Sequence, residues 1–341
     1  MVTDSKKMVC LVTGATGLVG SHIVEYLISM GHKVKTIVRP SSDTKFLDSL
    51  GVEYVQGDLT IAVSVDSAVE GVDVVFHCAA MVSDWADRAS MYKTNVGGTE
   101  NIINACLKHN VKRMVMVSSL AVLGMGKQVN ANEAAPYVYT GDNYNYTKIE
   151  SEKKVIEAVR EKGLPAVILR PPYIYGPRDR QLLPRVVQFL KEGKFVFIGS
   201  GENPISLVYV KNLVKACYLA ATTDKAVGQI YHITDGKDIT RKDFIFMLAK
   251  KFGYPVPSKS VPIQVAKIAC PILEFINKIT KSKNPPLLNK FRMKFLDTYL
   301  TFDITKAKNQ MGYIPEYSLD KGMDETVKWF QSNEKVLVEV S

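Results

Sequence analysis

Three observations predict an α/β fold, a doubly wound parallel sheet followed by a smaller α+β carboxyl-terminal part. Apolar runs of strand length alternate with helical patterns through the first half of the 341-residue chain. A glycine run, Thr13-Gly14-Ala15-Thr16-Gly17-Leu18-Val19-Gly20, separates the first apolar run from the first helical pattern. Gly31, Gly51, Gly71 and Gly163 stand just past helix-like segments, where a residue at positive φ is wanted.

In order, strands are expected at Met8 to Thr13, Lys33 to Arg39, Val52 to Gln56, Val72 to His77, Arg113 to Ser118 and Ala166 to Arg170. Helical patterns fall between them at Leu18 to Met30, Asp43 to Leu50, Val65 to Val69, Met91 to His109 and Asn145 to Lys162. After Pro171-Pro172 the elements shorten and Pro, Gly and Lys become more frequent. The division is therefore placed between residues 1–170 and 171–341, with a segment near 229–233 returning to the main sheet. The helical segment Ile263 to Ile279 is apolar on much of its circumference, interrupted by Lys267, Pro271, Glu274 and Asn277. It reads as a substrate-lining or lid helix kinked at the proline.

Composition excludes several classes. A 46% hydrophobic content supports a large core. The net charge of +10 comes from lysines spread along the chain, a solvated basic surface and not a nucleic-acid site. Lysines 278, 281, 283, 290 and 294 with Arg292 follow the apolar segment, and allow at most a peripheral contact with anionic lipid. Five scattered cysteines without a CxxC pair argue for reduced thiols and a cytoplasmic location, and no histidine set has metal-ligand spacing, so no metal is expected. No secretory leader and no bilayer-spanning stretch is expected either. Gly126-Lys127 fails as a phosphate loop, since Ala121 and Gln128 stand where a glycine and a hydroxyl residue belong.

Glycines spaced three apart between a strand and a helix let the backbone turn tightly, approach a pyrophosphate and present helix amides to it. That assigns Gly14, Thr16, Gly17, Leu18, Val19 and Gly20 to a dinucleotide. Tyr144 and Lys148, four apart, share one helix face. An ammonium about 5 Å from a phenol is worth roughly 3 kcal/mol at an effective dielectric of about 20, or about two pKa units. Tyr144 so becomes a proton relay near neutral pH. Tyr317 and Lys321 repeat the spacing without a dinucleotide strand before them and read as surface. Ser118 and Ser119 end the fifth strand at the same sheet edge, and Ser119 is favoured as the hydroxyl beside Tyr144.

These residues resemble the extended short-chain dehydrogenase/reductase family, from the glycine run to the terminal helix around Trp329. The resemblance implies a Rossmann-like fold and a catalytic set of Ser119, Tyr144 and Lys148, with Asn95 of Asn95-Val96-Gly97-Gly98-Thr99 supporting the site. It implies adenine contacts from Asp58 and Leu59, a cofactor floor at Ala79 and Ala80, and carboxamide contacts from Pro171 and Tyr173. Arg39, directly after the second strand where an acid would bind an NAD ribose, favours NADP(H) and leaves NAD(H) open. A homodimer is a family-level expectation.

Within that family the chain is most similar to the 3β-hydroxysteroid dehydrogenase branch, through Ser83-Asp84-Trp85, Leu169 to Asp179 and Tyr231 to Gly236. The resemblance implies an NAD(P)-dependent oxidoreductase interconverting a secondary alcohol and a ketone on a hydrophobic sterol-like or keto-acid substrate. Trp85, Tyr173 and Arg178 would line the substrate. Two alternatives stay open: a nucleotide-sugar epimerase/dehydratase, and a non-catalytic dinucleotide-binding scaffold. Against the first, Pro172-Tyr173 replaces the usual asparagine and Ile205-Ser206 the usual Arg-Asp pair.

Overall fold

The computed structural model describes residues 7–83, 86–124, 126–280, 293 and 298–333. The main-sheet strands, numbered in chain order, are β1 (Val9–Thr13), β2 (Lys33–Val38), β3 (Glu53–Gln56), β4 (Val74–His77), β5 (Arg113–Val117), β6 (Ala166–Arg170) and β7 (Ile230–His232). They form one parallel sheet in the order β7-β6-β5-β4-β1-β2-β3, the doubly wound arrangement. The six expected strands of the first half are present, with ends shifted by at most two residues. β7 joins through Ile230, Tyr231 and His232 opposite Ile168, Leu169 and Arg170.

Helices cover both faces, which is why these strands read as continuous apolar runs. Side chains alternate along each strand. Val12, Phe76, Val115 and Leu169 point into one core, with Ile23 and Leu27 of α1 (Leu18–Ser29). Leu11, Val75, Met114 and Ile168 point into the other. There they meet Val65 of α3 (Ala62–Val69), Ile102 of α5 (Gly98–Lys108) and Val155 of α6 (Asn143–Lys162). Between α1 and α3 lies α2 (Lys45–Ser49). Asp142 caps α6 by accepting from the Asn145 amide at 2.7 Å, and Gly163 closes it in the left-handed conformation.

The helix expected over Met91 to His109 is divided. α4 (Arg88–Tyr92) passes into a π-helical turn, Lys93–Gly97, before α5 begins. Gly97-Gly98 weakens the α-helical preference there, and the wider turn changes the partners of the Asn95 carbonyl.

A second sheet is ordered Asp238–Thr240, Pro204–Tyr209, Leu300–Phe302 and Gln128–Ala131, the last contributed from the first 170 residues, with Tyr173–Tyr175 also paired to Pro204–Tyr209. The core of the carboxyl-terminal part is built on α7 (Leu183–Lys191) and α9 (Arg241–Phe252), while α8 (Val210–Thr222) packs back on α1. The helix expected to line the substrate, α10 (Ile263–Ile279), runs through Pro271 and buries only small residues, Ala266 and Cys270. Past Ile263, which is half-buried, its large apolar side chains are exposed. Periodicity identified an apolar face without identifying what lies across from it. Among the described residues no helix is long and apolar enough to cross a membrane.

Candidate active site

β1 and β4 are neighbours whose chains continue to opposite sides of the sheet, so a crevice opens at their carboxyl ends. The glycine run lies at this crevice. Gly14 has φ +69°, and a Cβ there would stand 2.8 Å from Ala79 Cα. A side chain at Gly20 would overlap the Gly14 carbonyl oxygen, 2.2 Å away. The Gly17 amide donates to that oxygen at 2.9 Å, closing the turn on which Ala15 and Thr16 sit. Leu18, Val19 and Gly20 form the first turn of α1, which has no side-chain cap and no acidic residue, so its amides are available to an anion.

Beneath the loop runs a directed hydrogen-bond chain. The Thr99 hydroxyl donates to the Asn95 carbonyl at 2.6 Å, so it must accept from His77 Nε2, 3.0 Å away. Burial drives His77 down to about 3, with the Lys148 charge acting the same way, so the imidazole is neutral. Its Nδ1 then accepts from the Thr13 hydroxyl at 2.9 Å, and that hydroxyl accepts from the Ala79 amide at 3.2 Å. In sequence His77 reads only as the last residue of an expected strand. The signal available was its place directly before Cys78-Ala79-Ala80 at a strand end.

Asn95 is held by both its amide groups. Its oxygen accepts from the Met81 amide at 2.6 Å, and its nitrogen donates to the Met81 carbonyl and to Thr147 Oγ1. Thr147 in turn donates to the Tyr144 carbonyl. The π turn leaves the Asn95 carbonyl open to the Thr99 and Ser151 hydroxyls.

Ser119 and Tyr144 meet. The Ser119 hydroxyl accepts from the Ala121 amide at 3.1 Å, which leaves its proton for the phenol oxygen. Lys148 is buried and donates to the Val117 carbonyl at 2.9 Å. Here the expected electrostatics is corrected. Burial pushes the Tyr144 phenol up to about 12, and the Ser119 hydrogen bond opposes this only in part. Burial likewise lowers Lys148 to about 8, against the pull of the Glu152 carboxylate. Desolvation outweighs both favourable contacts at these two positions. Beside them, Ser118 Oγ is buried without a partner.

Leu120 donates its amide to the Pro171 carbonyl at 2.9 Å, which ties the Ser119 turn to the segment leading into Tyr173. The Tyr173 phenol donates to Asp179 at 2.9 Å. At the other end of the crevice Arg39 is exposed. Asp58 is held below the usual carboxylate range, first by the Thr60 amide, with the Arg39 and Lys93 charges adding to it. The Leu59 carbonyl accepts from Asn101 at 2.7 Å, and Ala80 is half-buried beyond Ala79. Arg178 is not brought to this group. Its guanidinium pairs with Glu25 at 2.7 Å and lies 4.2 Å over the Phe46 ring. Trp85 lies outside the described residues.

A glycine cradle, an uncapped helix start and an orphaned hydroxyl at the strand tips suit a nicotinamide dinucleotide, and the described residues contain no cluster able to hold a metal ion. Fold and crevice together define a protein of the extended dinucleotide-binding type. The family model of the 3-beta hydroxysteroid dehydrogenase/isomerase family matches residues 11–263, and the chain belongs to that family. It is 34% identical to the 3beta-hydroxysteroid-dehydrogenase/decarboxylase isoform 1 of Arabidopsis thaliana, over 96% of this chain and 81% of the relative. It is 32% identical to the 2-alkyl-3-oxoalkanoate reductase of Shewanella oneidensis, over 92% and 84% of the two chains. Among solved structures, dTDP-glucose 4,6-dehydratase DesIV from Streptomyces venezuelae, with NAD bound, superposes with a TM-score of 0.79 at 24% identity, covering 96% of this chain and 98% of that one. That likeness is one of fold. The chain is an oxidoreductase acting on hydroxyl or keto groups.

Proposed function

We propose that the chain interconverts a secondary alcohol and a ketone on a hydrophobic, sterol-like or keto-acid substrate, with NADP(H) preferred over NAD(H). The observation that carries this reading is the meeting of Ser119 and Tyr144 beside the buried Lys148 at the tip of β5. A bound nicotinamide dinucleotide supplies the hydride donor or acceptor. Gly14, Thr16, Gly17, Leu18, Val19 and Gly20 hold its pyrophosphate, Asp58, Leu59, Ala79 and Ala80 its adenosine half, and Pro171 and Tyr173 its far end. Arg39, with no acid beside it in Arg39-Pro40-Ser41-Ser42, supports a 2′-phosphate.

Tyr144 Oη exchanges the proton with the substrate oxygen, and Ser119 Oγ hydrogen-bonds and polarises that oxygen. Lys148 contributes a positive charge and hydrogen bonds at the strand tip, and Asn95 fixes the turn of α6 on which Tyr144 stands. The diphosphate-sugar alternative is disfavoured by Pro172-Tyr173 and Ile205-Ser206, which stand where that class carries an asparagine and an Arg-Asp pair. A turnover and thermal-shift screen that pairs NADPH or NADH with 3-oxosteroids, β-keto acids and UDP-sugars tests the reading. Conversion of UDP-sugars alone would overturn it.

A further inference from the structure

One carboxylate faces two buried cations. Glu152 is fully buried on α6, and Arg170, the last residue of β6, is 2% exposed. The guanidinium donates through Nε to both carboxylate oxygens, at 3.0 and 3.1 Å, and through a terminal nitrogen at 2.6 Å. The Tyr137 phenol donates to the same carboxylate at 2.8 Å, and its ring centre lies 5.2 Å from the guanidinium carbon. These contacts hold the carboxylate in one orientation.

Lys148 is the second cation. It precedes Glu152 by four residues on α6, so the two side chains share one helix face. Its ammonium is buried and bonds the Val117 carbonyl, which is neutral and cancels no charge. An ammonium with no opposite charge in such surroundings gives up its proton. The neighbouring elements supply no anion at neutral pH: burial raises the Cys78 thiol and the Tyr144 phenol each to about 12, and His77 is neutral. Glu152 is the carboxylate whose charge favours the protonated form of Lys148. Around Arg170, burial and then the guanidinium charge lower His232 to about 3, and burial lowers the half-buried Lys306, with Glu133 opposing and Arg170 adding.

We propose that Glu152 is the counter-ion of Lys148, clamped by Arg170 and Tyr137 so that its charge stays within reach of the ammonium, and that it is thereby a positioning residue for proton exchange at Tyr144. Without the carboxylate, Lys148 would be neutral in the pH range where the substrate oxygen needs a positive charge nearby. Its service to the reaction rests on the proposed roles of Ser119, Tyr144 and Lys148, whereas the counter-ion itself does not.

The test is a pH titration by NMR of the full, ligand-free chain with isotope-labelled lysines. The Lys148 signal, assigned by its absence from Lys148→Met, should titrate at about 8 in the wild type. The double variant Glu152→Met, Arg170→Met removes the acid without stranding the guanidinium, and its midpoint should fall by about one pH unit or more. Glu152→Asp keeps the charge and loses packing, so its midpoint should stay within about half a unit of wild type even where its melting temperature falls. A purely structural pair would tie the midpoint to stability instead. The alkaline limb of kcat/KM for ketone reduction should move to lower pH in the double variant and hold in Glu152→Asp. A midpoint unmoved in the double variant, or moved equally in Glu152→Asp, would overturn the counter-ion. A moved midpoint with an unmoved limb would overturn its role in the reaction. A moved midpoint in a chain that reduces no ketone would reject the substrate reading and leave the counter-ion standing.

Discussion

The Lys148 ammonium donates to the main-chain oxygen of Val117 at 2.9 Å, joining the second turn of α6 to the last residue of β5. Ser118 and Ser119 follow immediately, so the cation, the hydroxyl pair and the Tyr144 helix are fixed to one point of the sheet edge. In this arrangement Lys148 holds the scaffold, and the phenol lies above its ordinary range.

Tyr144 should therefore stay protonated in the ligand-free protein throughout the neutral range. A tyrosinate difference spectrum between wild type and Tyr144→Phe should show no titration below about pH 10. The same variant should lose about 10²-fold or more in turnover with cofactor affinity unchanged. Undiminished turnover would remove Tyr144 from the chemistry.

Lys148 makes stability depend on pH. Its proton leaves the folded protein at about 8 and a free lysine at 10.5. Between those values the unfolded chain binds more protons, so the penalty of the buried ammonium is complete below the window and shrinks as pH rises through it. Lys148→Met should lack this gain. Denaturant unfolding of both proteins from pH 7 to pH 10 reads the difference, and a wild type that loses ground to the variant would contradict a buried cation.

Arg39→Ala should weaken NADPH binding about tenfold or more and change NADH binding by less than about twofold, the loss of one charge-assisted contact to a phosphate. Fluorescence titration of both reduced cofactors measures it. Equal losses would mean that the arginine stacks on adenine without selecting the phosphate.

Glu152 and Arg170 form a buried pair, 2.6 Å at its shortest, with Tyr137 donating to the same carboxylate at 2.8 Å. Glu152→Gln leaves the guanidinium charge uncompensated and should cost about 3–5 kcal/mol, whereas replacing both residues by Met should recover much of this. Chemical denaturation of the single and double variants decides it.

Much of the fold was legible because strands buried on both faces and glycines at positive φ leave local marks, as at Leu11-Val12, Gly14 and Gly163. Pairing of Tyr144 with Ser119 was legible from their places at one sheet edge. What stayed hidden depends on partners distant in sequence. The carbonyl that Lys148 chooses, the two threonines that bracket His77 and the Glu25 that occupies Arg178 are set by tertiary packing. The π turn at Asn95 was hidden too, since a one-residue widening hardly changes helical periodicity.

The chain from Ala79 through Thr13, His77 and Thr99 to Asn95 has a single polarity, fixed at one end by an amide that can only donate and at the other by a carbonyl that can only accept. An arriving ligand thus meets a floor whose dipoles are already frozen in one sense, and spends nothing on realigning them. Swapping the imidazole for an amide of similar size, His77→Asn, would cut that rail in the middle, and the cofactor loop and the asparagine turn would then settle independently of each other.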